Sequence, residues 1–170
     1  ASLMTAAYAL RSAGLSTDKR GDNVLDGGAH FYDVYETRDG RHIALAAIEP
    51  KFYAVVIERL GLDPDALPHS QRREEWPALK AKLAAVIRTR TRDECVALLE
   101  GTDACFAPVL DMDEAPHHPH NRTRQTFVER DGRWQPNAAP RFSRTPSAVR
   151  QAPPATGTTA REHLQIGRAH

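Results

Sequence analysis

The stretch from Gly21 to Tyr53, GDNVLDGGAHFYDVYETRDGRHIALAAIEPKFY, limits the possible folds more than any other part of the chain. Asp26-Gly27-Gly28 reads as a turn, and after it Phe31 to Tyr35 and His42 to Ile48 read as strands joined by Arg38-Asp39-Gly40-Arg41. Two strand-like runs across a short Gly-containing connection predict a β-hairpin. The second run ends on Glu49, a buried-looking acid, and Pro50 then takes the favoured first position of a helix carrying Phe52, Tyr53, Val56, Ile57 and Leu60. A carboxylate where an apolar strand meets a helix N-terminus is either stabilised by the helix dipole or held for work on a ligand, and the residues alone leave both readings open.

Around this hairpin the chain alternates helix and strand signals. A helix spans the first residues, Ala1 to about Gly14, where glycine supplies a C-cap, and Ser16 to Asp22 reads as a polar, mobile connector. It is already under way at Ala1 with no cap ahead of it beyond Ser2, which has the look of a cut edge. Trp76-Pro77 opens a helix whose Leu79, Leu83, Val86 and Ile87 share one face, leaving Lys80, Lys82, Arg88 and Arg90 outward. Thr91-Arg92-Asp93-Glu94 is a capping box for a helix through Leu99 that Gly101 ends. Ala104 to Leu110 reads as a short strand with Pro108 implying an edge, Asp111 to Ala115 as a brief acidic helix start, and Asp131-Gly132 as the turn of a second hairpin, 126–130 with 133–135. The fold class is therefore α+β, a small domain of two β-hairpins and packed helices. From Pro140 onward proline, alanine, threonine and arginine dominate, and this segment reads as a flexible tail or an arm that docks elsewhere.

Composition excludes more than it assigns. With 170 residues, 41% hydrophobic and 26% charged, the chain has a globular composition with one ordinary core. Its 23 basic and 22 acidic residues leave a formal net charge of +1, so electrostatics offers no case for nucleic acid or an anionic membrane. No apolar run reaches the roughly 20 residues of a membrane span, and the N-terminus lacks a signal-peptide plan, so a cytoplasmic address is expected. Cys95 and Cys105 form no disulfide framework and are expected as reduced core thiols. His117, His118 and His120 invite a metal reading, but Pro116 and Pro119 constrain the run and no Cys or acid stands at matching spacing, so no metal site is expected.

At LDGGAHFYDVYETRDG, AIEPKFY, GTDACFAPVL, the HHPHN run and APRFSRTP, the sequence resembles the α-methylacyl-CoA racemases of the family III CoA-transferase superfamily, from Ser2 to about Pro146 and with the motifs in family order. The resemblance implies that the chain is the second part of such an enzyme: 1–20 a linking helix and connector, 21–143 the small domain, 144–170 a C-terminal arm. A Rossmann-like large domain, which carries a catalytic His and Asp, would be absent. Gly157 to His170 departs from the acidic helical ending of the family. The implied reaction inverts C2 of a 2-methylacyl-CoA through an enolate. Its pair of acid-base groups would lie outside this chain, and the fragment alone would be inactive.

By the same resemblance, this chain supplies the opposite wall of the pocket. Leu25, Tyr32 and Ile48 would line the acyl path, Glu49 would orient the catalytic His, and Asp26, Gly27 and Gly28 would let backbone approach the thioester. The implied partner is a second copy, in a homodimer where the small domain of one subunit faces the large domain of the other, and no cofactor is implied because CoA is part of the substrate. Read without the resemblance, Glu49 is a helix-start carboxylate, the glycines a turn, and Leu25, Tyr32 and Ile48 core residues. Two rival functions accompany the racemase: a CoA-transferase of the same superfamily, whose glycine-rich loop is often longer than Asp26 to Ala29, and a non-catalytic binding or dimerisation module.

Overall fold

A computed structural model describes residues 2–149 of the chain. They fall into two compact units that divide between Val109 and Leu110. The boundary lies inside the span that the sequence reading treats as one domain, and most of the expected arm lies outside the described residues.

The first unit is built on a three-stranded antiparallel sheet. β1 (Tyr32–Glu36) pairs with β2 (His42–Ala46), which pairs with β3 (Phe106–Val109), in the order β1-β2-β3. Tyr32 faces Ala46 and Tyr35 faces Ile43, while Ile43 faces Pro108 on the other side. Pro108 thus sits on an edge strand, where its missing N–H costs no ladder bond. The register sends Tyr35, Ile43 and Leu45 to one face, and all three are buried. The opposite face carries Tyr32, Val34, Ala44 and Ala46, none of them fully buried.

Helices cover the buried face. α1 (Thr5–Ser12) precedes the sheet, α2 (Pro50–Leu60) leaves its end, and α3 (Trp76–Ile87) and α4 (Arg92–Leu99) follow. Helix α2 begins at Pro50 and ends at Gly61 in the left-handed conformation, both as the sequence predicts. Tyr53, Val56, Ile57 and Leu60 of α2 join Leu79, Leu83 and Ile87 of α3, and Cys95 and Leu99 of α4, in a single core around Phe31 and Ile43. Each such side chain contributes about 1.5–3 kcal/mol on full burial. The Thr91 capping box forms as expected: its hydroxyl accepts from the Glu94 amide at 3.2 Å, and Glu94 accepts from the Thr91 amide at 2.6 Å.

The tip of the first hairpin is fastened to the start of α4. The Arg38 amide donates to the Arg90 carbonyl at 2.8 Å, and its guanidinium donates to the Thr89 carbonyl and pairs with Glu94 at 3.2 Å. Asp39 accepts from the Thr37 hydroxyl at 2.6 Å and from the Arg92 amide at 3.2 Å. The Thr37 hydroxyl has the largest effect on the Asp39 carboxyl and, with the Arg92 amide among the backbone donors, holds it below its ordinary range against the opposing effect of desolvation.

Four expectations need correction. The Ser16–Asp22 connector is tied down: Thr17 exchanges hydrogen bonds with Asn23 and donates to Asp22, which also pairs with Arg73. Cys95 is in the core, but Cys105, at φ 48° just ahead of β3, is only half-buried. Lys80 is half-buried rather than outward. The first helix is amphipathic in sequence, which predicts a buried face, yet α1 buries none of its residues.

The second unit starts with a turn at Asp111, whose carboxylate accepts from the Asp113 and Glu114 amides, and runs through a 3-10 turn at Ala115–His117 into the short α5 (Pro119–Thr123). The predicted second hairpin follows, as β4 (Phe127–Arg130) and β5 (Arg133–Pro136). Asp131 and Gly132 both take positive φ, 51° and 72°, the turn geometry that matches the right-handed twist of the strands. His117 packs edge-on against Trp134 with centroids 5.2 Å apart. Among the described residues, no group of three or more His, Cys, Asp or Glu side chains is placed to hold a metal ion.

Candidate functional site

The pairing of β1 with β2 brings the predicted site residues to one end of the sheet, opposite the Arg38–Asp39 tip. The turn at Asp26–Gly28 feeds into β1, and Ile48 and Glu49 leave β2. The Ala47 amide donates to the Phe31 carbonyl at 2.9 Å, so the entrance to β1 and the exit from β2 lie side by side.

The turn is built by its own side chains. Val24–Asp26 form one 3-10 turn, and Asp26 accepts from the Asn23 amide at 2.7 Å, the Asn23 side-chain amide at 2.8 Å and the Gly21 amide at 3.2 Å. Burial is the largest single influence on the Asp26 carboxyl and pushes it up, but the Asn23 and Gly21 donors together outweigh it and hold the group below its ordinary range. This carboxylate is therefore engaged within the turn. Gly27 lies at φ 88°, and a Cβ there would meet Asp33 Oδ1 at 2.9 Å. A Cβ on Gly28 would meet the Asn23 carbonyl oxygen at 2.5 Å and the Asn23 nitrogen at 2.8 Å. Both glycines are required by the chain's own backbone, whatever else approaches them.

Leu25 is 65% exposed and, with Asp26, Asn23 and Val24, lines one side of a crevice of about 760 Å³ whose other wall includes Leu10, Leu15 and Trp76. A volume of this order is that of a small-molecule pocket. Leu25 is thus a wall residue and not a core residue. Tyr32 is half-buried on the open sheet face, and Ile48 is 36% exposed. Tyr32 packs against the edge of the buried core, as its plain reading has it, whereas Ile48 does not join it.

Glu49 is the clearest departure from expectation. It is exposed, not buried, because the apolar run of β2 ends before it and its backbone has turned to φ −81°, ψ 136° as the N-cap of α2. Its carbonyl accepts the Phe52 and Tyr53 amides at 3.0 and 3.1 Å, but its side chain makes no capping bond. Among the described residues its carboxylate accepts no hydrogen bond and forms no ion pair. Its charge reaches Cys105: burial first, then Glu49, then Asp103, push that thiol up and leave it un-ionised near neutral pH.

Two histidines behind this end of the sheet escaped sequence reasoning. His69 donates from Nε2 to the Ile48 carbonyl at 2.9 Å and stacks on Phe31 at 4.5 Å, fastening the segment that presents Glu49. His30 is fully buried, with Nε2 at 3.1 Å from the Pro68 carbonyl and Nδ1 unpartnered. Tyr53, edge-on to His30 at 5.3 Å, also has an unpartnered buried hydroxyl, and burial pushes its phenol up to about 12. The only signal for either histidine was a polar residue beside an apolar run, which is too common to single out.

The profile of CoA-transferase family III matches residues 1–160. The chain is 46% identical over 136 residues to the alpha-methylacyl-CoA racemase of Mus musculus and 43% identical over 129 residues to that of Homo sapiens. These matches cover 79% and 75% of this chain but 35% and 34% of the racemases, so the chain spans about a third of their length. The crystal structure of Rv3272 from Mycobacterium tuberculosis superposes with a TM-score of 0.60 at 16% identity, covering 87% of this chain and 40% of that one, and shares its fold. By the extent of the profile match, the chain belongs to CoA-transferase family III.

Proposed function

We propose that this chain is the pocket-closing part of an α-methylacyl-CoA racemase. The observation that carries the reading is the 43–46% identity to two racemases, against 28% to a CaiB/baiF CoA-transferase family protein of Caenorhabditis elegans. Racemisation at C2 removes a weakly acidic proton from one face of the thioester and returns one to the other, through an enolate. The two acid-base groups, a His and an Asp, come from the Rossmann-like domain that family resemblance implies. The present chain contributes Leu25, Tyr32 and Ile48 along the acyl path, the Asp26–Gly28 backbone beside the thioester, and Glu49.

In this reading Glu49 is a positioning residue. An exposed carboxylate without a partner of its own is available to accept the N–H of an imidazole brought against it, which fixes the tautomer and raises the basicity of that ring. The acyl-CoA carries its own handle, so no further cofactor enters. The working unit is a homodimer in the cytoplasm, with this domain facing the large domain of the partner.

The test is α-proton exchange from a chiral 2-methylacyl-CoA in deuterated water. The 170-residue chain alone is expected to be inactive, and a chimera in which it replaces the matching segment of the mouse racemase is expected to exchange and racemise. An inactive but folded chimera, or enzyme-like exchange by the chain alone, refutes the proposal. A chimera that moves CoA between carboxylic acids instead would favour the transferase reading, which the family profile and the short Asp26–Ala29 loop leave as the second choice.

A further inference from the structure

Lys80 occupies a position where lysine is out of place. On α3 the buried stripe runs through Trp76, Leu79, Leu83 and Ile87, and Lys80 falls four residues after the first of these and three before Leu83, inside the stripe. Lysine takes such a position when its stem covers apolar surface and its ammonium reaches a partner. Here the ammonium reaches two. It hydrogen-bonds the carbonyl of Gly27 and pairs with Asp33 Oδ2 at 2.8 Å, with the Lys80 and Asp33 side chains only 29% and 25% exposed. The other oxygen of Asp33 lies 2.9 Å from the place a Cβ on Gly27 would take.

The contacts close around one peptide group. Its carbonyl, from Gly27, is held by Lys80, and its amide, from Gly28, donates to the Asn23 carbonyl at 2.9 Å. A peptide held at both its oxygen and its amide resists flipping, so the end of the turn that follows the crevice-lining Leu25 and Asp26 is oriented by a cation 53 residues further along the chain.

We propose that Lys80, with Asp33 as its counter-charge, is a positioning residue that sets the orientation of the Gly27–Gly28 peptide. Its consequence for turnover rests on the racemase reading given above, whereas the contact itself does not. A lysine that served only to stabilise the fold would loosen the whole domain when removed. One that positions the turn loosens that peptide selectively.

The experiment compares wild type, Lys80→Met and Lys80→Arg in the 170-residue chain by amide exchange and by the carbon-13 shift of the Gly27 carbonyl. In Lys80→Met, exchange at the Gly28 amide is expected to rise about tenfold or more over wild type, while the Ile43 and Leu45 amides change less than about threefold. The Gly27 carbonyl shift moves with it, and Lys80→Arg restores both. Uniform acceleration across the domain, or an unmoved Gly27 carbonyl, overturns the proposal. In the racemase chimera, Lys80→Met is expected to lower kcat/KM about tenfold, with Lys80→Arg recovering most of it. An inactive wild-type chimera would refute the racemase reading and leave the exchange result standing by itself.

Discussion

Protonation of His30 gives the sharpest test of the packing. The side chain is fully buried, and burial first, with the charges of His69 and Lys80 adding to it, pulls the imidazole down to about 4 against the raising effect of its bond to the Pro68 carbonyl. The fold therefore favours the neutral ring. A base whose folded pKa lies below its unfolded value of 6.5 contributes full stability above that value and loses it as pH falls from 6.5 towards 4, where the folded state also takes the proton. A separation of about two and a half units corresponds to about 3 kcal/mol at the acid limit, and roughly 2 kcal/mol of it is lost by pH 5. Urea unfolding of the wild-type chain at pH 7.5 and pH 5 should show a midpoint lower by about 1 M at the acid pH, for a slope of about 1–3 kcal/mol/M. His30→Gln removes the titrating group, and its loss between the same pH values should fall to about 0.5 kcal/mol or less. A wild type equally stable at both pH values, or a variant that keeps the full pH dependence, would refute the reasoning. The depressed carboxyls lose their contributions in a lower window, from 4.5 downward for Glu94 and from 3.8 downward for Asp26 and Asp39, and so disturb this comparison little.

Four other substitutions separate local roles. Gly28→Ala forces a methyl into the Asn23 backbone at 2.5 Å, and denaturant unfolding should report a loss of about 1–3 kcal/mol or more, whereas Gly14→Ala meets nothing within 4 Å and loses only what its φ of 73° costs, about 1–2 kcal/mol. Thr91→Ala removes one hydroxyl from the capping box of α4 and should cost about 1 kcal/mol by the same measurement. Glu49→Gln should leave stability within about 0.5 kcal/mol, since the side chain makes no capping bond, while lowering kcat of the racemase chimera and changing its pH profile. An unchanged pH profile would remove Glu49 from the mechanism.

The parts of the fold that the sequence displayed are those in which neighbours in the chain are also neighbours in space. Pro50 and Gly61 frame α2, Thr91 and Glu94 start α4, and Asp131-Gly132 turns the second hairpin, each by local backbone chemistry. What remained hidden depends on distant partners. Lys80 falls beside the apolar stripe of α3, and a lysine there reads as outward from its charge; only the arrival of Gly27 and Asp33 from another part of the chain shows why it turns inward. The Ser16–Asp22 connector is polar enough to read as mobile, yet Asn23 and Arg73 hold it. The site was legible as a stretch but not in its exposures. Glu49 ends an apolar run and so looks buried, although the chain turns outward before reaching it.

The fastening of the first hairpin has a mechanical consequence. Arg38 and Asp39 bind the tip to the Thr89–Glu94 junction through backbone and side chain alike, so the hairpin is a beam clamped at its loop end. The other end, where Gly28 enters and Glu49 leaves, is held by single side chains, Lys80 on the Gly27 carbonyl and His69 on the Ile48 carbonyl. Loop tips are the usual places to insert tags or permute a chain. Here the tip is the anchorage, and an insertion at Gly40 would release the clamp and shift the strand ends at the opposite side of the sheet.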